Sequence, residues 1–134
     1  MIDVEPQVFT KIATALRTQY SNIFVADEYV PKPTQMPAVC IMEMDNTAQR
    51  KTQDSASMEN TADVMYQVDV YSNRVRGKKA ECKAIAATID EMFVDMGFTR
   101  MGMNPIPNMN DATIYRMTGR YRAVVDKNNT IYRR

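Results

Sequence analysis

The sequence predicts an α+β fold: an antiparallel sheet of about four strands with two helices packed on one face. Three observations predict it. Two segments repeat apolar residues at steps of three and four, the spacing of one helix face, and others alternate with the period of two that marks a strand. The order that results is helix, strand, loop, strand, helix, strand, strand, with little room for the long crossovers that parallel neighbours need. The chain has 134 residues, 45% of them hydrophobic, which suits one core of the usual ~100–150-residue size. Residues 1–134 are therefore expected to form one domain.

From Asp3 to Tyr20, Val8, Ile12, Ala15, Leu16 and Tyr20 share one side while Lys11, Thr14 and Arg17 lie elsewhere. This is an amphipathic helix, with Asp3 as N-cap and Pro6 in the first turn, where a missing N–H costs nothing. Ile23 to Val25 is a short extension, and Val30-Pro31-Lys32-Pro33 with Met36-Pro37 then predicts a loop, since proline cannot donate to a ladder. Ala38 to Met44 has apolar residues on both faces and predicts a strand covered on both sides.

The stretch 46–58 is polar and without periodicity, and long loops of that kind tend to be functional. Gln49, Arg50, Lys51 and Asp54 within it are candidates for an assembly loop that orders on a partner. Ala62 to Ser72 alternates Val64, Tyr66, Val68 and Val70 against Met65, Gln67, Asp69 and Tyr71, a half-buried strand. After the turn Arg74-Val75-Arg76-Gly77, residues Cys82, Ile85, Ala86, Ile89, Met92, Phe93 and Met96 mark a second helix, closed by Gly97 as a left-handed cap. Phe98 to Met103 alternates weakly, and Asn104-Pro105-Ile106-Pro107-Asn108 predicts a rigid turn. Thr113 to Asp126 is a long strand that packs Tyr115, Met117, Gly119, Tyr121, Ala123 and Val125 and turns Arg116, Thr118, Arg120 and Arg122 the other way. Thr130 to Arg134 is a short basic tail.

Composition excludes more than it suggests. Histidine is absent and there are two cysteines and four glycines. Histidine-based nucleophile systems and a tetrahedral Cys/His zinc site are excluded, and a glycine-rich phosphate cradle is disfavoured. The sequence holds no G-x-G-x-x-G, H-E-x-x-H or G-x-S-x-G motif. No catalytic residue, cofactor site or metal site is predicted, and Cys40 and Cys82, both in apolar runs, are expected to be small buried hydrophobes. With no ~18-residue apolar run and with Asp3 and Glu5 near the start, neither a membrane span nor a signal peptide is expected, which points to the cytosol.

The net charge of +1 conceals a gradient: residues 1–67 hold five Lys/Arg against nine Asp/Glu, and residues 68–134 hold twelve against seven. At ~3.3 Å per residue the arginines of the last long strand span roughly 20 Å on one face. Such a row suits a phosphate backbone, the acidic half of a neighbouring copy, or pairing within its own sheet to residues such as Asp69 or Glu43. Twelve methionines are the other anomaly. Met42, Met92, Met96 and Met117 are expected to fill the core, whereas Met65, Met101, Met103 and Met109 need not.

The runs Met36-Pro-Ala-Val-Cys-Ile-Met-Glu-Met44, Val64-Met-Tyr-Gln-Val-Asp-Val-Tyr-Ser72 and Gly77-Lys-Lys-Ala-Glu-Cys82, the helix ending at Met96-Gly-Phe98, and Tyr115-Arg-Met-Thr-Gly-Arg-Tyr-Arg-Ala-Val-Val-Asp126 together resemble the tail terminator, or tail completion, proteins of long-tailed bacteriophages. The resemblance spans residues 5–126 and lies in pattern and order. It implies a structural virion protein at the tail–neck junction, present in host cytoplasm during assembly and not an enzyme. The implied partners are other copies of itself in a ring, usually a hexamer, the tail tube protein, whose polymerisation the ring stops, and a head-closure or neck protein. Genomic DNA would pass through the lumen in transient, non-specific contact. The resemblance supplies no functional residues, so the candidate oligomer or lumen surface, Arg116, Arg120 and Arg122, rests on alternation and charge. Another head–tail joining protein and a nucleic-acid-binding module are the alternatives.

Overall fold

The computed structural model describes residues 1–30, 33–48, 61–107 and 113–132. The chain is α+β, with elements in the order α1 (Glu5–Gln19), β1 (Phe24–Ala26), β2 (Ala38–Ala48), β3 (Thr61–Ser72), α2 (Lys78–Met96), β4 (Thr99–Ile106), β5 (Tyr115–Asp126) and β6 (Ile131–Tyr132). The six strands form one sheet in the order β1-β2-β3-β5-β4, with β6 beside β5. No helix among the described residues is long and apolar enough to cross a membrane.

The sheet is larger than expected and is not purely antiparallel. β1 runs parallel to β2, pairing Phe24 with Ala38 and Ala26 with Cys40. A parallel neighbour needs a crossover, and the connection between them supplies it with no helix among its described residues. Val30 and Met36 from that connection pack on Ala38, Cys40 and Tyr71, on the sheet face opposite the helices. The bond between Met36 and Pro37 is cis.

β2 extends past Met44, because Asp45 to Ala48 pair with Met65 to Ala62 across a bulge between Glu43 and Asp45. Asn46, Thr47 and Ala48 are thus strand, not loop; a ladder is made by backbone groups, and polar side chains do not prevent it when they face water. β4 likewise continues through Pro105 and Ile106, the predicted turn. As an edge strand it needs partners on one side only, which is where proline is tolerated. The basic tail contributes β6, whose Ile131 and Tyr132 pair with Val125 and Val124.

Both helices pack on one face of the sheet over a continuous core. Val8, Ile12 and Leu16 of α1 and Ile85, Ile89 and Phe93 of α2 are fully buried there against Val39, Ile41, Val64, Tyr66, Val68, Tyr121 and Ala123. Phe93 stacks on Tyr121 with centroids 4.2 Å apart and meets Phe98 edge-on at 5.0 Å. Gly97, at φ 105°, ends α2 with Gly97 N–H donating to Val94 O and Phe98 N–H to Phe93 O, which is the Schellman arrangement expected of a left-handed cap. α1 starts one residue later than predicted: Val4 takes the N-cap place without a side-chain bond, and the Asp3 carboxylate accepts only the N–H of Glu5. Met117 is buried as expected, but Met92 and Met96 are half-buried at the rim and Met42 belongs to the small cluster on the opposite face.

Candidate functional site

The sheet face turned away from the helices is built in rows. Alternation brings Ala38, Tyr71, Arg116 and Ile106 into line, then Cys40, Asp69, Thr118 and Asn104, then Met42, Gln67, Arg120 and Gly102, then Asp45, Met65, Arg122 and Thr99. The β1–β2 connection covers the first rows near β2, leaving Cys40 buried and Tyr71 nearly so. Beyond it, among the described residues, the face is open. There a shallow groove of about 280 Å³ is lined by Asp45, Thr47, Asp63, Met65, Met101 and Arg122.

The three candidate arginines do share this face, and each has a partner in the same sheet. Arg116 Nη2 lies 3.1 Å from Asp69 Oδ1, and its guanidinium sits 5.5 Å from the Tyr71 ring centroid. Asp69 is fully buried, and its Oδ1 accepts from Arg116 Nε and Nη2 and from the Thr118 hydroxyl at 2.6 Å, while Gln67 Nε2 donates to Oδ2 at 3.5 Å. Burial opposes the charge of Arg116, but the hydrogen bond and charge of Asp69 outweigh it and hold the guanidinium pKa above its ordinary value. Arg122 pairs with Asp63 at 3.2 Å, and Arg120 donates from Nε to Gln67 Oε1 at 3.3 Å. The row is thus a set of cross-strand links of decreasing burial; Arg120 is exposed and meets no carboxylate among the described residues. Gln49, Arg50, Lys51 and Asp54 lie outside the described residues, as do Met58 and Met109.

A second group of cations lies in one turn. The β3–α2 turn carries Arg74, Arg76, Lys78 and Lys79 around Val75, which is 98% exposed. Arg74 reaches Glu81 at 3.7 Å and Lys78 Nζ donates to Thr113 O, while Arg76 and Lys79 make no ion pair among the described residues. Their crowding is legible in the run Arg74-Val75-Arg76-Gly77-Lys78-Lys79; which of them pair, as Arg74 does with Glu81, is not.

At the helix side, three hydroxyls tie strands to carboxylates at the core margin: Tyr66 donates to Glu43 at 2.9 Å, Tyr121 to Asp90 at 2.8 Å and Ser72 to Glu81 at 2.6 Å. Burial, opposed by the Tyr66 hydrogen bond and reinforced by the charges of Glu5 and Asp3, raises the Glu43 pKa. Burial also raises the phenol pKa values of Tyr66 and Tyr121, so neither serves as an acid or base near neutrality. Cys82 donates from Sγ to Tyr115 O at 3.4 Å, and burial pushes its thiol up to about 12. Burial raises the Cys40 thiol too. Both cysteines are buried hydrophobes.

A second groove, about 560 Å³, runs between α2 and β4 and is lined by Lys83, Asp90, Glu91, Arg100, Met103 and Met117. Arg100 pairs with Asp90 across it at 3.2 Å. Met103 folds onto Gly119, where any side chain would collide with the Met103 thioether. Among the described residues no group of three His, Cys, Asp or Glu side chains is placed to hold a metal ion.

The sheet margins complete the surface. β1 pairs only with Ala38–Cys40, so along Ile41–Ala48 the outer edge of β2 is open among the described residues. β4 is the opposite margin, its residues largely exposed. Each margin carries one bulge and an exposed methionine at it: Met44, 52% exposed, and Met101, 57% exposed. No protein-family model matches this chain, and no curated protein matches it in sequence.

Proposed function

We propose that this chain is a structural virion protein of the phage tail-terminator type, forming a ring that caps the tail tube, stops its polymerisation and joins it to the neck. The observation that carries this reading is the pair of open sheet margins on one small subunit. A ring needs heterologous contact between two different patches of each copy, and the two margins differ in residue content and charge. The order of elements and the runs quoted from residues 36 to 126 supply the link to phage tails. Its partners are other copies of itself, the tail tube protein and a head-closure or neck protein, and its place is the tail–neck junction of the virion.

Catalysis has no part in this reading. A nucleic-acid-binding module built on the arginine strand is less well supported, because Arg116 and Arg122 are already matched by Asp69 and Asp63 and a phosphate would have to compete with both. Light scattering over a concentration series, with negative-stain microscopy of the same samples, tests the proposal. Closed rings, and tubes capped when the protein is added to polymerising tail tube protein, are expected. A monomer that leaves tube growth unchanged and binds DNA with a steep salt dependence would overturn it.

A further inference from the structure

We infer that the turn between β3 and α2 is a contact site for the phosphate backbone of duplex DNA, made by Arg74, Arg76, Lys78, Lys79 and Lys83 and blind to base sequence. The site lies within one copy and does not rest on the ring reading above.

The positive charge of this protein is concentrated in that one segment. Residues 73–84 hold five Lys/Arg against one Asp/Glu, and all the other residues together hold twelve against fifteen. A chain of net charge +1 is thus acidic apart from one turn, so a polyanion is drawn to the turn and repelled by the rest. The cations stand in water: Arg74, Arg76, Lys79 and Lys83 are exposed, and Lys78 is half-buried. Lys79 and Lys83, four residues apart on α2, share a face and lie ~6 Å apart along its axis. Arg76, Lys79 and Lys83 make no ion pair among the described residues.

The single carboxylate fixes the turn more than it neutralises it. Glu81 accepts the Ser72 hydroxyl at 2.6 Å and pairs with Arg74 at 3.7 Å, and its N–H donates to Gly77 O at 2.8 Å. The N–H of Arg74 donates to Ser72 Oγ at 3.3 Å, and Lys78 Nζ donates to Thr113 O at 3.3 Å, tying the turn to the segment just before β5. The backbone that carries the cations is therefore in place before a partner arrives, which lowers the ordering cost of binding. Gly77, at φ 85°, has open space where a side chain would stand, so nothing obstructs close approach to the turn.

The chemistry favours nucleic acid over an acidic protein. Three of the five cations are lysines, a type depleted at protein interfaces, where aromatic and apolar anchors carry the affinity. The segment offers only Val75 as a large exposed apolar side chain. Duplex DNA presents one charge per ~1.7 Å of its axis and is held by Lys and Arg through counterion release. Residues 73–84 contain no aromatic side chain, which single strands need for base stacking. Contacts to phosphate alone position a protein without reading sequence.

Fluorescence anisotropy of the full-length protein with two short DNA duplexes of unrelated sequence, over a salt series, tests the inference. Each variant is first shown to unfold at the parent's urea midpoint. The parent is expected to bind both duplexes alike. R76Q/K79Q/K83Q is expected to weaken binding by about tenfold or more at low salt and to flatten the slope of log affinity against log salt by roughly 2–3, since each neutralised phosphate contributes ~0.9. The single variants R76Q, K79Q and K83Q, each expected to flatten the slope by ~0.9, carry the test if the triple variant is less stable. The charge-preserving R76K/K79R/K83R is expected to bind like the parent, and R120Q, which removes an exposed cation on the sheet face, to leave affinity and slope unchanged. No binding by the parent, an unchanged slope in the turn variants, or an equal loss in R120Q would overturn the inference. So would a preference for one duplex sequence, tighter binding of the single strand, or displacement of the duplex by polyglutamate at equal charge concentration, which would fit an acidic protein instead. Rings that cap tubes but bind no DNA would overturn this site and leave the terminator reading intact. A monomer that binds DNA through the turn and leaves tube growth unchanged would keep the site and remove that reading.

Discussion

At Ile89 the helix periodicity and the observed packing meet on one side chain. It is fully buried beneath α2 in the core shared with Tyr66 and Tyr121. Ile89→Ala removes buried methyl groups and leaves a cavity, so a loss of about 2–5 kcal/mol is expected in urea unfolding. A loss below ~1 kcal/mol would mean that the helix turns another face inward. The arginine row predicts a graded series, since the same residue type occupies three environments on one strand. Arg116→Met strands a fully buried Asp69 carboxylate, and removal of one partner from a buried pair typically costs about 3–5 kcal/mol. Arg122→Met loses a half-exposed pair worth ~1 kcal/mol or less. Arg120→Met is expected to leave stability within ~0.5 kcal/mol. Equal losses in all three would contradict the burial order. A charge reversal at Arg116 therefore reports on folding, and only Arg120 can be reversed as a clean probe of surface contact.

Elements are joined by short polar devices whose pH dependence can be worked out. Glu43 on β2 accepts from Tyr66 on β3, and its pKa is raised, chiefly by burial. A raised carboxyl favours the protonated folded form, so its contribution is full below the unfolded value near 4.5 and is lost as pH rises through the folded value. Glu43→Gln accepts the same hydrogen bond without a charge. The variant's stability relative to the parent is expected to improve between pH 4 and pH 7, and a difference that is constant across that range would exclude this linkage. Asp126, at the turn from β5 to β6, has the opposite sign. Its Oδ1 accepts the N–H groups of Asn128 and Thr130 and its Oδ2 the Tyr132 hydroxyl, and these bonds, the Thr130 amide first, lower its pKa. The turn is therefore intact above the unfolded value near 3.8 and loosens as pH falls through the folded value. In an NMR titration the Asn128 and Thr130 amides should shift with Asp126 at a midpoint below the ordinary aspartate value; a midpoint at or above it would remove the turn's role in holding β6.

Across the whole molecule the helices close one face of the sheet, the β1–β2 connection closes part of the other, and both long margins stay open among the described residues. If those margins join between copies, association stabilises the folded state by mass action. The apparent melting temperature is then expected to rise with protein concentration. A melting temperature independent of concentration would place no stabilising contact between copies.

The sequence by itself determined both helices and the core-facing side of β3 and β5, because repeats of three-and-four and of two act over neighbouring residues and survive any arrangement of the rest. It also determined the left-handed cap at Gly97 and the sharing of one face by Arg116, Arg120 and Arg122. Only the tertiary structure decided what those arginines meet. Asp69, Gln67 and Asp63 lie far from them in sequence, and their pairing depends on the register of β3 against β5, which alternation leaves open to a shift of two residues. The parallel strand β1 is too short to carry a period, and the polar end of β2 and the proline in β4 lack local strand signal. Each became strand because a neighbouring backbone offered hydrogen bonds along one edge. The two open margins follow from the same cause, since an edge exists only once strand order is set, and strand order is a property of the assembled sheet.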